Sequence, residues 1–163
     1  MSRIICTILF VGFFPVAPGT LASFVALLIA YFIYSFGGFL LLLAFTVFSF
    51  IFGLYFISKY ISEYHKPADP KEIVIDEVIG QSIPIYMYEI AHGTTKDFNE
   101  SILFYTYIFI LFRFFDIKKP FPINFFDRKF KNSFGVIMDD VIAGFYVVLT
   151  LIIFMVIKSK LFI

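Results

Sequence analysis

The chain has 163 residues, of which 61% are hydrophobic and only 15% charged, for a formal net charge of +1. A water-soluble domain of this size carries more charge. The composition therefore excludes an ordinary soluble enzyme, gives no reason to expect a nucleic-acid partner, and points to an all-α polytopic transmembrane helical bundle built as one domain over 1–163.

The first apolar run, Ile4–Phe14, has eleven residues, too few to cross a bilayer as a helix, which takes about 20. It reads as a short re-entrant or interfacial segment; a signal peptide with Arg3 as its basic flank is the alternative. Its Cys6 is the only cysteine, which excludes an internal disulfide and suggests a buried structural thiol. About five spans follow: Leu21–Phe36, Phe39–Ile57, Ile73–Ala91, Ile102–Phe115 and Phe134–Ile157. Gly37-Gly38 joins the first two in a tight uncharged turn. His65 and His92 stand alone in separate loops, without the second ligand that a zinc site needs.

With five spans, the N-terminal segment, loop 58–72 and loop 116–133 share one membrane face. Ten of the thirteen basic residues fall there or at the adjoining helix ends: Arg3, Lys59, Lys66, Lys71, Arg113, Lys118, Lys119, Arg128, Lys129 and Lys131. The positive-inside rule makes that face cytoplasmic. Only Lys96, Lys158 and Lys160 fall on the other side. Six carboxylates, Asp69, Asp76, Glu77, Asp116, Asp139 and Asp140, gather at the basic face as well.

The motifs follow in chain order. PVAPGTLAS is a small-residue turn in which Thr20 or Ser23 is placed to cap the next helix, whose N-terminus suits a phosphate. The plainer reading is an ordinary capped turn. IVIDEVIG sets Asp76 beside Glu77, with Gly80 on the Asp76 face to admit a backbone or a ligand. FRFFDIKKPFPI carries Arg113 and Asp116 at ion-pair spacing, then Lys118 and Lys119; Pro120 and Pro122 stop the helix and should force an extended surface segment. Its lysines serve either as a lipid-facing anchor or as phosphate ligands. GVIMDDVIAG repeats the acid pair as Asp139-Asp140, with Gly144 four residues after Asp140. An ionised carboxylate in hydrocarbon costs roughly 2.5–3.5 kcal/mol. Adjacent acids followed by apolar residues therefore imply a neutralising partner, and a hard divalent cation is the simplest. Helix-dipole pairing explains such a pair less well.

Together these blocks resemble the phosphatidylglycerophosphatase A family of bacterial membrane lipid phosphatases. The matching stretches are PVAPGT at 15–20, DPKEIVIDEVIG at 69–80, FRFFDIKKPFPI at 112–123 with Asp127 after it, and GVIMDDVIAG at 135–144, in family order. Ala22 before Ser23, and Asn132-Ser133 before the last block, depart from the family pattern. The resemblance implies Mg²⁺-dependent hydrolysis of phosphatidylglycerophosphate to phosphatidylglycerol and phosphate in glycerophospholipid biosynthesis. It implies a multi-pass protein of the bacterial cytoplasmic membrane, its active site facing the cytoplasm and its substrate held in the bilayer among other membrane lipids.

On this reading the catalytic set is Asp76, Glu77, Asp116, Asp139 and Asp140, with Asp76, Asp139 and Asp140 holding the metal. Arg113, Lys118, Lys119 and Thr20 would bind the substrate phosphate. The rival reading is a small ion-coupled transporter or transporter subunit using the same interfacial carboxylates. That reading expects acids near the middle of the membrane rather than at one surface.

Overall fold

A computed structural model describes residues 1–65, 70–92 and 98–161, with side chains described from residue 101 onward in the fourth helix. Asp69, Lys66 and Lys96 lie outside the described residues. The described chain is all helical: α1 (Ser2–Cys6), a 3-10 turn (Val11–Phe13), α2 (Pro18–Tyr64), α3 (Ile75–His92), α4 (Phe98–Lys118), α5 (Ile123–Lys129) and α6 (Ser133–Leu161). His65 and His92 close α2 and α3 rather than standing in open loops.

α2 counts 47 residues, which laid straight would measure about 70 Å. It is not straight. Gly38 has φ 64° and ψ −162°, a conformation outside the helical region that glycine adopts without a Cβ clash. The chain folds back there. Near its start, Gly19 abuts Glu77 of α3, and near its end the Tyr60 hydroxyl meets Glu72, just before α3. The turn expected at Gly37-Gly38 is thus present, and the two arms of α2 return to the same end of the bundle.

α2 and α6 are each long and apolar enough to cross a membrane. In their most apolar stretches only 17% and 28% of residues are buried within the protein, whereas the core helix of a soluble fold would be mostly covered. Phe32, Phe48, Ile153 and Phe154 stand on their open faces.

Two clusters form the core. One joins Ala30 and Leu42 of the α2 arms to Ile85, Ile108, Phe112, Ala143 and Val147. The other lies at the acidic end, where Cys6, Ile57, Tyr60, Ile73, Ile79 and Ile137 meet. Cys6 is fully buried there, and its carbonyl accepts the Val74 N–H at 2.9 Å, tying the N-terminal segment to the start of α3. Burial first, then the nearby Asp76 and Glu63 charges, push the Cys6 thiol up to about 12.

Two local expectations are corrected. Thr20 and Ser23 do not cap α2: Pro18 occupies its first turn and Ala17 is the N-cap, so both hydroxyls fall inside the helix. Ser23 Oγ instead donates to the Gly19 carbonyl at 3.0 Å. The prolines after α4 do end that helix, but they do not lead into an extended segment. Pro122 is the N-cap of α5, because the fixed φ of proline is compatible with helix entry.

Candidate active site

The acids are brought together by the crossing of α3 and α6. Pro84 lacks an N–H, so the Gly80 carbonyl one turn earlier has no intrahelical donor. That carbonyl faces α6, where a Cβ on Gly144 would lie 2.5 Å from it. Reciprocally, a Cβ on Gly80 would lie 2.6 Å from the Asp140 carbonyl. Both glycines are required for backbones this close, as at small-residue crossings of membrane helices. Gly80 therefore does admit a neighbouring backbone, and that backbone belongs to α6. One turn from the contact on each helix stand Asp76 and Asp140.

Carboxylate oxygens of Asp76, Glu77 and Asp140 lie within 4.8 Å of one another. All three residues are nearly buried, with Glu77 the most open at 9%. Glu77 Oε2 is buried and has no hydrogen-bond partner among the described residues. An unmatched buried oxygen beside two further carboxylates suits a hard cation, and an all-oxygen set favours Mg²⁺, Ca²⁺ or Mn²⁺ over zinc or copper. The residues present therefore fit the divalent ion that the resemblance implies.

Asp139 faces elsewhere. Lys119 Nζ donates to its Oδ2 at 2.6 Å and to Asp127 Oδ1 at 2.9 Å. Lys119 reaches both because it follows α4 in the left-handed region, φ 43°, which turns the chain back toward α6. Burial alone would lower the Lys119 pKa, but Asp139 and then Asp127 outweigh it and hold the ammonium above its usual range. The compact carboxylate trio is thus Asp76, Glu77 and Asp140, with Asp139 ion-paired at its side.

Arg113 forms the opposite wall. Its Nη1 lies 2.8 Å from Asp116 Oδ2, 3.7 Å from Glu77 Oε1 and 3.2 Å from Ser23 Oγ. Its Nε is buried without a partner among the described residues, so that N–H is available to a ligand oxygen. The start of α2 lies against the same pair: a Cβ on Gly19 would fall 2.1 Å from Glu77 Oε1 and 3.4 Å from Arg113 Nη1. The Gly19 and Thr20 N–H groups have no intrahelical acceptor, so the positive end of a long helix is delivered to the carboxylates.

Of the residues singled out in the sequence, Asp76, Glu77, Asp140, Asp116 and Arg113 converge directly. Thr20 sits at the edge, Asp139 and Lys119 pair beside the trio, and Lys118 is exposed. Three further residues belong to the setting. Asp127 is the second acceptor for Lys119, and Ser23 orients Arg113. Gln81 is fully buried, and both of its amide atoms lack partners among the described residues. It stands one turn after Glu77, a spacing that marks a shared helix face and was readable as such.

The sequence model of the phosphatidylglycerophosphatase A family matches residues 4–155. Phosphatidylglycerophosphatase A of Haemophilus influenzae is 35% identical over 138 residues, covering 85% of this chain and 78% of that protein. A Bacteroides thetaiotaomicron protein named "Putative phosphatidylinositol-3-phosphatase" is 35% identical over 139 residues, covering 83% of this chain and 81% of that one. Phosphatidylglycerophosphatase A of Escherichia coli is 44% identical over 36 residues, 22% of this chain and 21% of its own. No solved structure matches.

Proposed function

Because the chain belongs to the phosphatidylglycerophosphatase A family of lipid phosphatases, we propose that it hydrolyses the terminal phosphomonoester of phosphatidylglycerophosphate, with Mg²⁺ as cofactor. The products are phosphatidylglycerol and inorganic phosphate. The observation that carries this reading is the trio Asp76, Glu77 and Asp140 facing Arg113 and the start of α2. Anion-binding groups and metal-type ligands converge on one end of an apolar bundle, an arrangement that suits a lipid headgroup. The comparisons give no support to an ion-coupled transporter.

Asp76 and Asp140 would hold the ion, and Glu77 is close enough to share it or to accept a proton from attacking water. When bound, Mg²⁺ supplies Lewis-acid polarisation of the phosphoryl group. Arg113, fixed by Asp116 and Ser23, would offer its Nε–H to a phosphoryl oxygen. The first-turn N–H groups of Gly19 and Thr20 would add neutral donors at a helix N-terminus. Lys119 offsets one of the two negative charges of Asp139 and Asp127, so the phosphate meets less uncompensated negative charge. Lys118 faces outward, as a contact for lipid phosphates.

On this reading the two arms of α2, together with α3, α4 and α6, make five spans, and the site faces the cytoplasm. The return of both α2 arms to the acidic end and the ten-to-three division of basic residues support it. In a Cys6→Ser background, cysteines at positions 66 and 129 should be labelled only from the cytoplasmic side, and one at 96 only from outside. Labelling of 66 and 129 from opposite sides would break the shared-face arrangement.

The decisive experiment is phosphate release from phosphatidylglycerophosphate in mixed micelles by the purified protein. Chelation should abolish turnover and added Mg²⁺ should restore it. Full activity in excess chelator would remove the metal from the mechanism. Phosphatidylinositol 3-phosphate belongs in the same assay, because a relative of equal identity bears that activity in its name. Better turnover on it would reassign the substrate and leave the site chemistry intact.

A further inference from the structure

We propose that the groove between the first arm of α2 and α4 holds one fatty acyl chain of the substrate lipid and so sets chain-length preference. The inference rests on the lipid phosphatase reading and adds a second, apolar binding site to it. The groove encloses about 430 Å³ and is lined by Phe24, Leu27, Leu28, Tyr31, Thr106 and Phe109 among others. Two of its polar groups are engaged with the protein itself. The Thr106 hydroxyl donates to the Ile102 carbonyl at 2.8 Å, and Tyr105 turns its hydroxyl inward to Glu89 at 3.0 Å. A hydrocarbon chain would therefore strand neither of these hydroxyls.

Continuity with the phosphate wall of the site identifies the occupant. At the near end, Phe24 and Phe109 meet edge to face with centroids 6.3 Å apart. Phe24 follows Ser23, and Phe109 lies one turn before Arg113 on α4; Ser23 and Arg113 themselves touch at 3.2 Å. The groove thus begins directly beneath the guanidinium assigned to the phosphate. It continues along α4 to Ile102, a run of about 16 Å from Arg113 at the helical rise. Tyr31 and Tyr105, packed edge to face at 6.0 Å, stand along its deeper part. A second apolar groove, lined by Met87, Ile90, Ile152 and Phe154, lies beside the far end of α3 and is not continuous with Arg113.

The test compares kcat/KM on dioleoyl and dihexanoyl phosphatidylglycerophosphate. Leu28→Trp and Thr106→Trp, which fill the groove, should lower the long-chain to short-chain ratio at least about tenfold, whereas Ile152→Trp in the second groove should leave it as in wild type. An unchanged ratio in both groove variants overturns the proposal. If those variants lose all activity, photolabelling of the wild type decides. Phosphatidic acid with a mid-chain diazirine, in phosphatidylcholine vesicles, should label the peptides around Leu28 and Thr106 in preference to the lipid-facing Phe154. The preference should vanish when the diazirine is carried by phosphatidylcholine. Equal labelling by both probes overturns the acyl site. Wild type that turns over neither phosphatidylglycerophosphate would instead overturn the substrate assignment, and the photolabelling result would still stand on its own.

Discussion

One adjacent-acid pair stands in the first turn of α3 and the other nearly two turns into α6, and locally they are built alike. Asp76 Oδ1 accepts the Glu77 N–H, and Asp139 Oδ1 accepts the Asp140 N–H, both at 3.1 Å. Beyond that they differ. Both members of the α3 pair join the carboxylate trio, whereas the α6 pair is divided: Asp140 joins the trio and Asp139 is held by Lys119. Successive residues on a helix point about 100° apart, so neighbours in sequence address different neighbours in space. An acid pair can therefore serve two sites, as the α6 pair does, and its two charges then require separate neutralisation.

The largest expected effect tests that division. Asp140→Asn should lower turnover at least about a hundredfold, roughly 2.7 kcal/mol, and Asp76→Asn should do the same. The amount of monodisperse protein should hold, since a neutral amide is less costly to bury than an unpaired carboxylate. Near-normal turnover in both variants would dissolve the metal assignment. Lost protein that accounts for the whole deficit would make the acids structural.

Next comes Gly80→Ala, whose Cβ would meet the Asp140 carbonyl and push α3 from α6. It should cost about 1–3 kcal/mol of stability, as overpacking does, and should reduce turnover together with both Asp→Asn effects. A thermal midpoint and a rate equal to wild type would show that the crossing is looser than 2.6 Å implies.

Asp139→Asn should do less, about tenfold, because it leaves Lys119 with Asp127. Removing both partners, as Asp139→Asn with Lys119→Met, should cost less than the sum of the single changes, since Lys119→Met alone strands two carboxylates and the double change strands only Asp127. Additive losses would place Asp139 with Asp140 on the metal and erase the contrast between the pairs. Lys118→Ala, by comparison, should remain within about twofold of wild type, as an exposed cation has no fixed partner to lose.

The smallest effect concerns Cys6. A thiol pushed up to about 12 keeps its proton at neutral pH, so iodoacetamide should leave Cys6 unmodified in the folded protein and alkylate it after denaturation. Fast labelling of folded protein would mean that the cluster joining the N-terminal segment to α3 is open.

Some of this was readable residue by residue. Paired acids among apolar residues stand out because hydrocarbon penalises them. Gly37-Gly38 stands out because an uncharged glycine pair between two apolar runs has little use except a turn. Arg113 and Asp116 pair through simple helical spacing. The Lys119–Asp139 bond was not readable, because it depends on a left-handed residue after α4 and on the course of the chain through α5. The prolines misled for a related reason: proline ends one helix and starts the next with equal ease, and only the following residues decide. Gln81 shares a helix face with Glu77 by its spacing, but one amide in an apolar run carries little chemical signal until its neighbours are known.

The glycine crossing also acts as a pivot. Membrane helices answer a change in bilayer thickness by tilting, and two helices in backbone contact tilt about the point where they touch. Asp140 lies four residues from Gly144 along α6 and Leu161 lies seventeen beyond it, lever arms of about 6 and 25 Å. A tilt of about 10° would displace the far end by about 4 Å and the carboxylate by only about 1 Å. On the proposed five-span arrangement, placing Asp76 and Asp140 next to the fulcrum would let the outer ends of α3 and α6 follow the lipid while the distance between the two acids stays nearly constant. Turnover should then vary little across bilayers of different thickness.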